Sequence, residues 1–401
     1  MEILIARQST SLSSEGDWPN KLKTRTEVLG RPVSAKPLLS LAMIVRDEED
    51  TLAGALEDAR HFCDELIVVD TGSVDGTIEI ARTFGAKVFH FDWIDDFAAA
   101  RNFSFAQASG SWILWLDADD RIVPAAWPGM RVIIDDLPHL TNFDFIVLAY
   151  NYKFSEVDPS VCLFTGPRER FIRNSPDIRW VGRIHENVPI VPGRALSRTD
   201  AWVEHRPSKG HSDASAQRNL RVIVQCLEDG DDSPWMLHYY ADNLTRLGRH
   251  EEAFATYEKI LSIPGDSSTN VNDLRYLTLD MMAESAAALG MVDKELDCLG
   301  RAIVFNSGRA EAFIHLGRHF YEKKEWRKAI PFFYAATTLQ APVLGPVNPS
   351  HYSWLPWDYL AICAGEIGDF RSALEYCTRA LPGHPEKDRI VANMALYAKH
   401  L

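Results

Sequence analysis

Apolar residues fall into two patterns along the chain. In the first half, continuous apolar runs of strand length alternate with stretches of helical spacing. Leu39 to Val45 (LSLAMIV) reads as a strand, Thr51 to Phe62 as a helix, and Glu65 to Val69, running into Asp70, as a second strand. Thr77 to Phe84 is helical, Ala86 to Phe91 extended, Phe97 to Ala108 helical and Trp112 to Leu116 extended. Strands alternating with helices of roughly 10–15 residues predict βαβ units and a mostly parallel sheet. Continuous rather than alternating apolar strands predict a sheet covered by helices on both faces.

After about residue 210 the pattern becomes almost entirely helical, and it repeats. Gly248-Arg-His-Glu-Glu-Ala253 returns as Gly368-Asp-Phe-Arg-Ser-Ala373, with Gly290-Met-Val-Asp-Lys-Glu295 and Lys324-Glu-Trp-Arg-Lys-Ala329 in the same frame. The position that opens each following helix falls at 253, 295, 329 and 373, intervals of 42, 34 and 44 residues. A turn residue, a small residue five on, then Tyr or Phe resembles the tetratricopeptide repeat. Small residues let paired helices approach closely, and stacking buries faces that one repeat cannot bury alone. Glu295 breaks the pattern, and a generic helical bundle is the plainer alternative.

These patterns divide the chain into an extension at 1–36, an α/β domain at 37–212 and a helical repeat domain at 213–401. The boundary is expected near 206–215, where Pro207, Ser208, Lys209 and Gly210 form a linker-like stretch.

Composition narrows the class. The 401 residues are 46% hydrophobic and 24% charged, enough to bury a sizeable core and ordinary for a soluble protein. A formal net charge of −14 disfavours nucleic acid or an anionic membrane as whole-surface partners, without excluding a local basic groove. No run approaches a membrane span, and the N-terminus lacks the apolar core of a secretory signal. The six cysteines form no CxxC pair. Reduced thiols in a cytoplasmic protein are the expectation.

The candidate chemistry begins at Trp112-Ile-Leu-Trp-Leu-Asp117-Ala-Asp119-Asp120, where an apolar strand delivers carboxylates to its C-terminal edge. Open α/β sheets bind ligands at that edge. In extended chain Asp117 and Asp119 would project to one side, and carboxylate oxygens suit Mg²⁺ or Mn²⁺. An acidic surface turn is the bland alternative. Asp70-Thr-Gly-Ser-Val-Asp-Gly-Thr77 follows another strand: an acidic residue there either contacts a ribose or base, or caps a helix. There is no GxGxxG or GxxxxGK[ST].

MIVRDEED, DELIVVDTGSVDGT, FAAARN and WILWLDADD, in that order, closely resemble family 2 glycosyltransferases of the GT-A fold. The resemblance covers roughly residues 38–225 and continues in Arg170-Phe-Ile-Arg173, Trp180-Val-Gly-Arg-Ile-His185-Glu186, Glu204-His205 and Arg218-Asn-Leu220. With its helical repeats the chain is similar to bacterial protein and peptide glycosyltransferases of the sublancin S-glycosyltransferase type.

The resemblance implies a nucleotide-diphosphate sugar donor, most often UDP-linked. Val45 and Arg46 would line the base pocket, and Asp70 would contact base or ribose. Thr71 stands where this family often has a second acidic residue. Arg101 would face the diphosphate, with pairing to Asp95 or Asp96 as the alternative. Asp117 would contact ribose or metal, Asp119 the metal, and His205 would complete the metal site. An inverting transfer needs a base near the attacking atom; Glu186, His185 and Asp120 are candidates, with pairing of the His185-Glu186 segment to Arg183 or Arg179 as the plainer role. Trp112, Trp115 and Trp180 are core or sugar-stacking residues, and WLPWDYL at 354–360 packs helices or lines a peptide groove.

The expected function is metal-dependent transfer of a sugar to a protein or peptide side chain. The alternatives are transfer to a saccharide, lipid-linked glycan or modified nucleic-acid base, or a non-catalytic repeat scaffold. A homodimer remains open.

Overall fold

The computed structural model describes residues 4–5, 37–208, 211–264, 269–342 and 345–401. The 1–36 extension other than residues 4–5, and Lys209 and Gly210 of the linker-like stretch, lie outside the described residues. The chain divides into two compact units. The first runs to Asn151 and resumes over Gly166–His211; the second takes Tyr152–Thr165 and Ser212–Leu401.

The first unit is built on strands β1 (Leu4–Ile5), β2 (Leu39–Val45), β3 (Glu65–Asp70), β4 (Lys87–His90), β5 (Trp112–Trp115) and β6 (Asp120–Arg121), with β7 (Phe145–Phe154), β8 (Cys162–Arg173) and β9 (Ala195–His205). They form one sheet in the order β1-β9-β7-β8-β5-β2-β3-β4, with β6 paired to β9. The β2/β3, β3/β4, β2/β5, β7/β9 and β1/β9 pairings are parallel, whereas β8 meets β5 and β6 meets β9 antiparallel. Every residue of β3, and all but one of β2, is buried.

Helices α1 (Leu52–Ala59), α2 (Thr77–Thr83), α3 (Phe97–Gln107) and α4 (Trp127–Asp136) supply the connections. Ala98 and Phe105 of α3 pack with Ala42, Ile113 and Trp115 of the sheet and with Trp180. Gly129 lets α4 lie directly on β9: a Cβ there would sit 1.8 Å from the Asp200 carbonyl oxygen. Glu65 fastens the N-terminal ends of β2, β3 and β5 by accepting from Ser40, Ser109, Gly110 and Lys87. Burial alone would raise its pKa, but these donors hold it at about 2.

The second unit contains α5 (His211–Glu228), α6 (Pro234–Arg246), α7 (His250–Ser262), α8 (Thr269–Ala288), α9 (Val292–Phe305), α10 (Glu311–Glu322), α11 (Trp326–Thr337), α12 (Leu355–Glu366), α13 (Phe370–Ala380) and α14 (Lys387–Ala398). The repeated turn residues Gly248, Gly290, Lys324 and Gly368 all have positive φ, 72°, 69°, 57° and 83°, so one backbone turn recurs in every repeat. Lys324 adopts it despite its Cβ, at a cost glycine avoids. Ala253, Ala329 and Ala373 are fully buried, as close helix pairing requires. Glu295 departs from that rule, and accepts from His319 Nδ1 at 2.9 Å. In the WLPWDYL segment Leu360 is buried, Trp354 packs on His384 and Trp357 on Tyr376 and Arg379. Those contacts are helix packing.

Candidate active site

The parallel strands β2, β3 and β5 run out at one edge, where Val45 pairs in register with Asp70 and Ala42 with Trp115. Val45 is buried and Arg46 is exposed, 3.9 Å from Asp47 Oδ2. Asp70 is buried and accepts from the backbone N–H groups of Gly72 and Ser73. That closes the turn, with Gly72 at φ 109°. Asp70 thus serves the turn after the strand without capping the helix, whose N-cap is Gly76, and His90 Nδ1 lies 3.6 Å from its Oδ2.

Beyond β5 the acidic run turns. Asp120 N–H donates to the Asp117 carbonyl, and Asp117 N–H returns a bond to Asp120 Oδ2 at 2.9 Å. The chain is therefore not extended here, and Asp117 and Asp119 are not ordered by strand alternation. The Asp117 carboxylate accepts from Arg101 at 2.8 Å. Asp119 instead lies toward His205, with 3.3 Å between Oδ1 and Nδ1. Asp120, opposite His205 in the β6/β9 register, is wholly buried. It accepts from the Tyr150 hydroxyl at 2.6 Å and from Arg170 at 2.8 Å.

Arg101 does not pair with Asp95 or Asp96. Its Nε donates to Glu186 at 2.6 Å and its other arm to Asp117, while its guanidinium lies over the Trp115 and Trp180 rings. Glu186 correspondingly pairs with Arg101 rather than Arg183 or Arg179. Among the described residues its Oε2 accepts no hydrogen bond. His185 is exposed, with a positive φ of 50°. The loop bearing both is held to α3 by Asn102, whose side chain donates to the Trp180 carbonyl and accepts from its N–H, and by the Phe97 N–H donating to the Arg183 carbonyl. Trp112, Trp115 and Trp180 are core residues, each at most 2% exposed.

Electrostatics separate the carboxylates. Burial would raise Asp117, but Arg101 and Arg170 bring it down to about 2. Asp120 is raised, by burial first and then by the charge on Asp117, against the pull of Arg170. Burial and Asp120 push the Tyr150 phenol well above its usual range, so it stays a donor. Burial lowers His205, but the adjacent Asp119 outweighs it and the imidazole is raised overall.

Asp119, Asp120 and His205 place a ligand atom each within 4.8 Å of one another. His205 Nδ1 is buried and turned toward the Asp119 carboxylate at 3.3 Å, so the imidazole nitrogen and the carboxylate oxygens converge on one point. Carboxylate oxygens with one imidazole nitrogen suit Mn²⁺ or Mg²⁺. Tyr150 and Arg170 were not assigned site roles from sequence. Arg170 lies within a quoted motif, and Tyr150 carries a polar tip in a strand otherwise apolar at that point (FIVLAY).

A mostly parallel α/β sheet presenting this acidic cluster at its C-terminal edge is a GT-A-type domain. Residues 40–157 match the model of glycosyl transferase family 2, so the chain carries a family 2 glycosyltransferase domain followed by TPR-like helical repeats. A TPR repeat-containing protein of Synechococcus elongatus is 43% identical over 155 residues, 39% of this chain and 36% of that protein. The SPbeta prophage-derived glycosyltransferase SunS of Bacillus subtilis is 23% identical over 243 residues, 59% of this chain and 56% of that one. Among solved structures, a thermophilic TPR protein of Thermus thermophilus aligns with a TM-score of 0.34 at 18% identity, over 47% of this chain and 93% of that one. The chain thus spans between about a third and just over half of these curated relatives. Among the described residues no helix is long and apolar enough to cross a membrane.

Proposed function

We propose that the protein is a metal-dependent glycosyltransferase that moves a sugar, with inversion, from a nucleotide-diphosphate donor, UDP-linked in the first instance, to a protein or peptide side chain in the cytoplasm. The observation that carries this reading is the cluster of Asp119, Asp120 and His205, whose ligand atoms converge within 4.8 Å of one another. These three residues would hold Mn²⁺ or Mg²⁺, which supplies a Lewis acid for diphosphate oxygens.

The chain's own groups set the rest of the geometry. Val45, Arg46 and Asp70 stand at the strand edge on the nucleotide side. Asp117, fixed by Arg101, offers its remaining lone pairs to the ribose. Asp120 is held by Tyr150 and Arg170 on both oxygens, so it orients the cluster and leaves the base role to the His185-Glu186 loop. We assign the base to Glu186, whose Oε2 remains open to take a proton from an acceptor hydroxyl or thiol. The TPR-like repeats support a protein or peptide acceptor, since stacked helices present extended binding surfaces.

The test is hydrolysis of a panel of nucleotide sugars, with and without Mn²⁺. Wild-type protein is expected to release nucleoside diphosphate only with the metal. Asp119→Ala should lose most of that turnover with its fold intact, and His205→Ala should lose less. Metal-independent hydrolysis, or full activity in Asp119→Ala, would overturn the assignment.

A further inference from the structure

Three guanidinium groups surround the Trp115 ring: Arg170 at 4.1 Å, Arg101 at 4.5 Å and Arg168 at 5.4 Å from its centroid. Two are matched by carboxylates, Arg101 by Asp117 and Glu186 and Arg170 by Asp120. Arg168 makes no ion pair or hydrogen bond among the described residues, and its Nε is buried without a partner while the side chain as a whole is half-buried. A partly desolvated, unmatched guanidinium beside two others is unfavourable until an anion reaches it.

Its position says where that anion would come from. β8 runs antiparallel to β5, with Ile113 opposite Ile172 and Leu114 opposite Phe171. Falling numbers along β8 therefore lead toward the C-terminal end of β5. Arg168 lies two residues beyond Arg170 on the same face, at the edge where open α/β sheets bind ligands.

We propose that Arg168 is a donor-binding residue that grips the diphosphate of the nucleotide sugar. The inference rests on the transfer reaction proposed above and names a residue for it. A guanidinium fork meets two phosphate oxygens at once. An uncharged acceptor hydroxyl or thiol offers no such match. Arg101, the sequence candidate for this role, already commits its Nε and Nη2 to carboxylates.

The experiment is calorimetric titration of the full chain, in Mn²⁺, with whichever of UDP, GDP, CDP and ADP binds wild type tightest, and separately with the matching nucleoside. Arg168→Gln is expected to weaken the diphosphate roughly tenfold or more and to leave the nucleoside unchanged. Should Arg168→Gln fail to fold, Arg168→Lys keeps the charge without the fork and gives the same comparison, diphosphate weakened and nucleoside unchanged. Equal diphosphate affinity in the variant and wild type, or an equal loss for the nucleoside, would overturn the role of Arg168 alone. If wild type binds none of the four nucleotides, the transferase reading fails and this inference with it.

Discussion

Arg101 Nε donates to Glu186 Oε1 at 2.6 Å, across 85 positions of sequence. The second arm of the same guanidinium holds Asp117, so one buried cation fixes a carboxylate at the strand edge and another in the loop proposed to carry the base. Burial lowers the Arg101 pKa, but the two carboxylates outweigh it and hold the group charged. Removing it leaves two acidic groups without their counter-ion. Arg101→Ala is therefore expected to cost about 3–5 kcal/mol of stability, read from urea midpoints, and to abolish transfer. Arg101→Lys, lacking the fork, should recover stability more than activity.

Glu186→Gln tests the base directly. The amide preserves the shape and removes the proton acceptor. A fall in kcat of about 10²–10⁴ for a hydroxyl acceptor, with donor affinity near that of wild type, is the expected result. Loss of donor affinity at unchanged kcat would place Glu186 in the donor pocket instead.

The sheet was legible in sequence because LSLAMIV and ELIVVD are continuous apolar runs that no other element accommodates, and β2 is Leu39–Val45 as read. The repeats were legible for a similar local reason. One turn conformation returns at Gly248, Gly290, Lys324 and Gly368, and a local requirement leaves a local signature. Asp119, Asp120 and His205 were all candidates, and the β6/β9 register brings the last two opposite each other. What was not legible is pairing. Nothing in FAAARN announces that Arg101 reaches Glu186, and nothing near Tyr150 announces Asp120. Both depend on how distant strands and loops close. The turn at 117–120 was also hidden, because two backbone-level bonds override the alternation that Asp-x-Asp spacing suggests.

Asp120 and its two donors permit a graded prediction. Asp120→Asn removes the charge facing Arg170, which is itself 0% exposed, and an uncompensated buried guanidinium costs about 3–5 kcal/mol. Tyr150→Phe removes one hydrogen bond and should cost about 1 kcal/mol. Denaturant midpoints for the two variants check the order. A fully stable Asp120→Asn would mean that Arg170 does not depend on this carboxylate for its burial.

Acid should weaken the helical unit before most of its carboxylates titrate. His238 is 9% exposed, its Nδ1 has no hydrogen-bond partner, and it sits among the rings of Trp235, Tyr239 and Tyr257. Burial pushes it down to about 4. His351 goes down to about 3, through burial first and then the neighbouring His315. In the unfolded chain both titrate near the ordinary value of about 6.5. Above that pH they are neutral in both states and contribute no slope. Below it the unfolded chain takes up protons that the folded imidazoles refuse, so stability falls as pH falls. For His238 the loss reaches about 3 kcal/mol by about pH 4. His315 works the other way: burial lowers it, but Asp280 outweighs burial and raises it, so its contribution is present at low pH and lost as pH rises. Two depressed histidines against one raised leave a net loss of stability on acidification. Urea unfolding at several pH values between about 7.5 and 4.5 should show the midpoint of this unit declining through that window. His238→Phe, which fills the aromatic site without a titratable group, should make the decline shallower. An unchanged slope in that variant would mean that the acid sensitivity arises elsewhere.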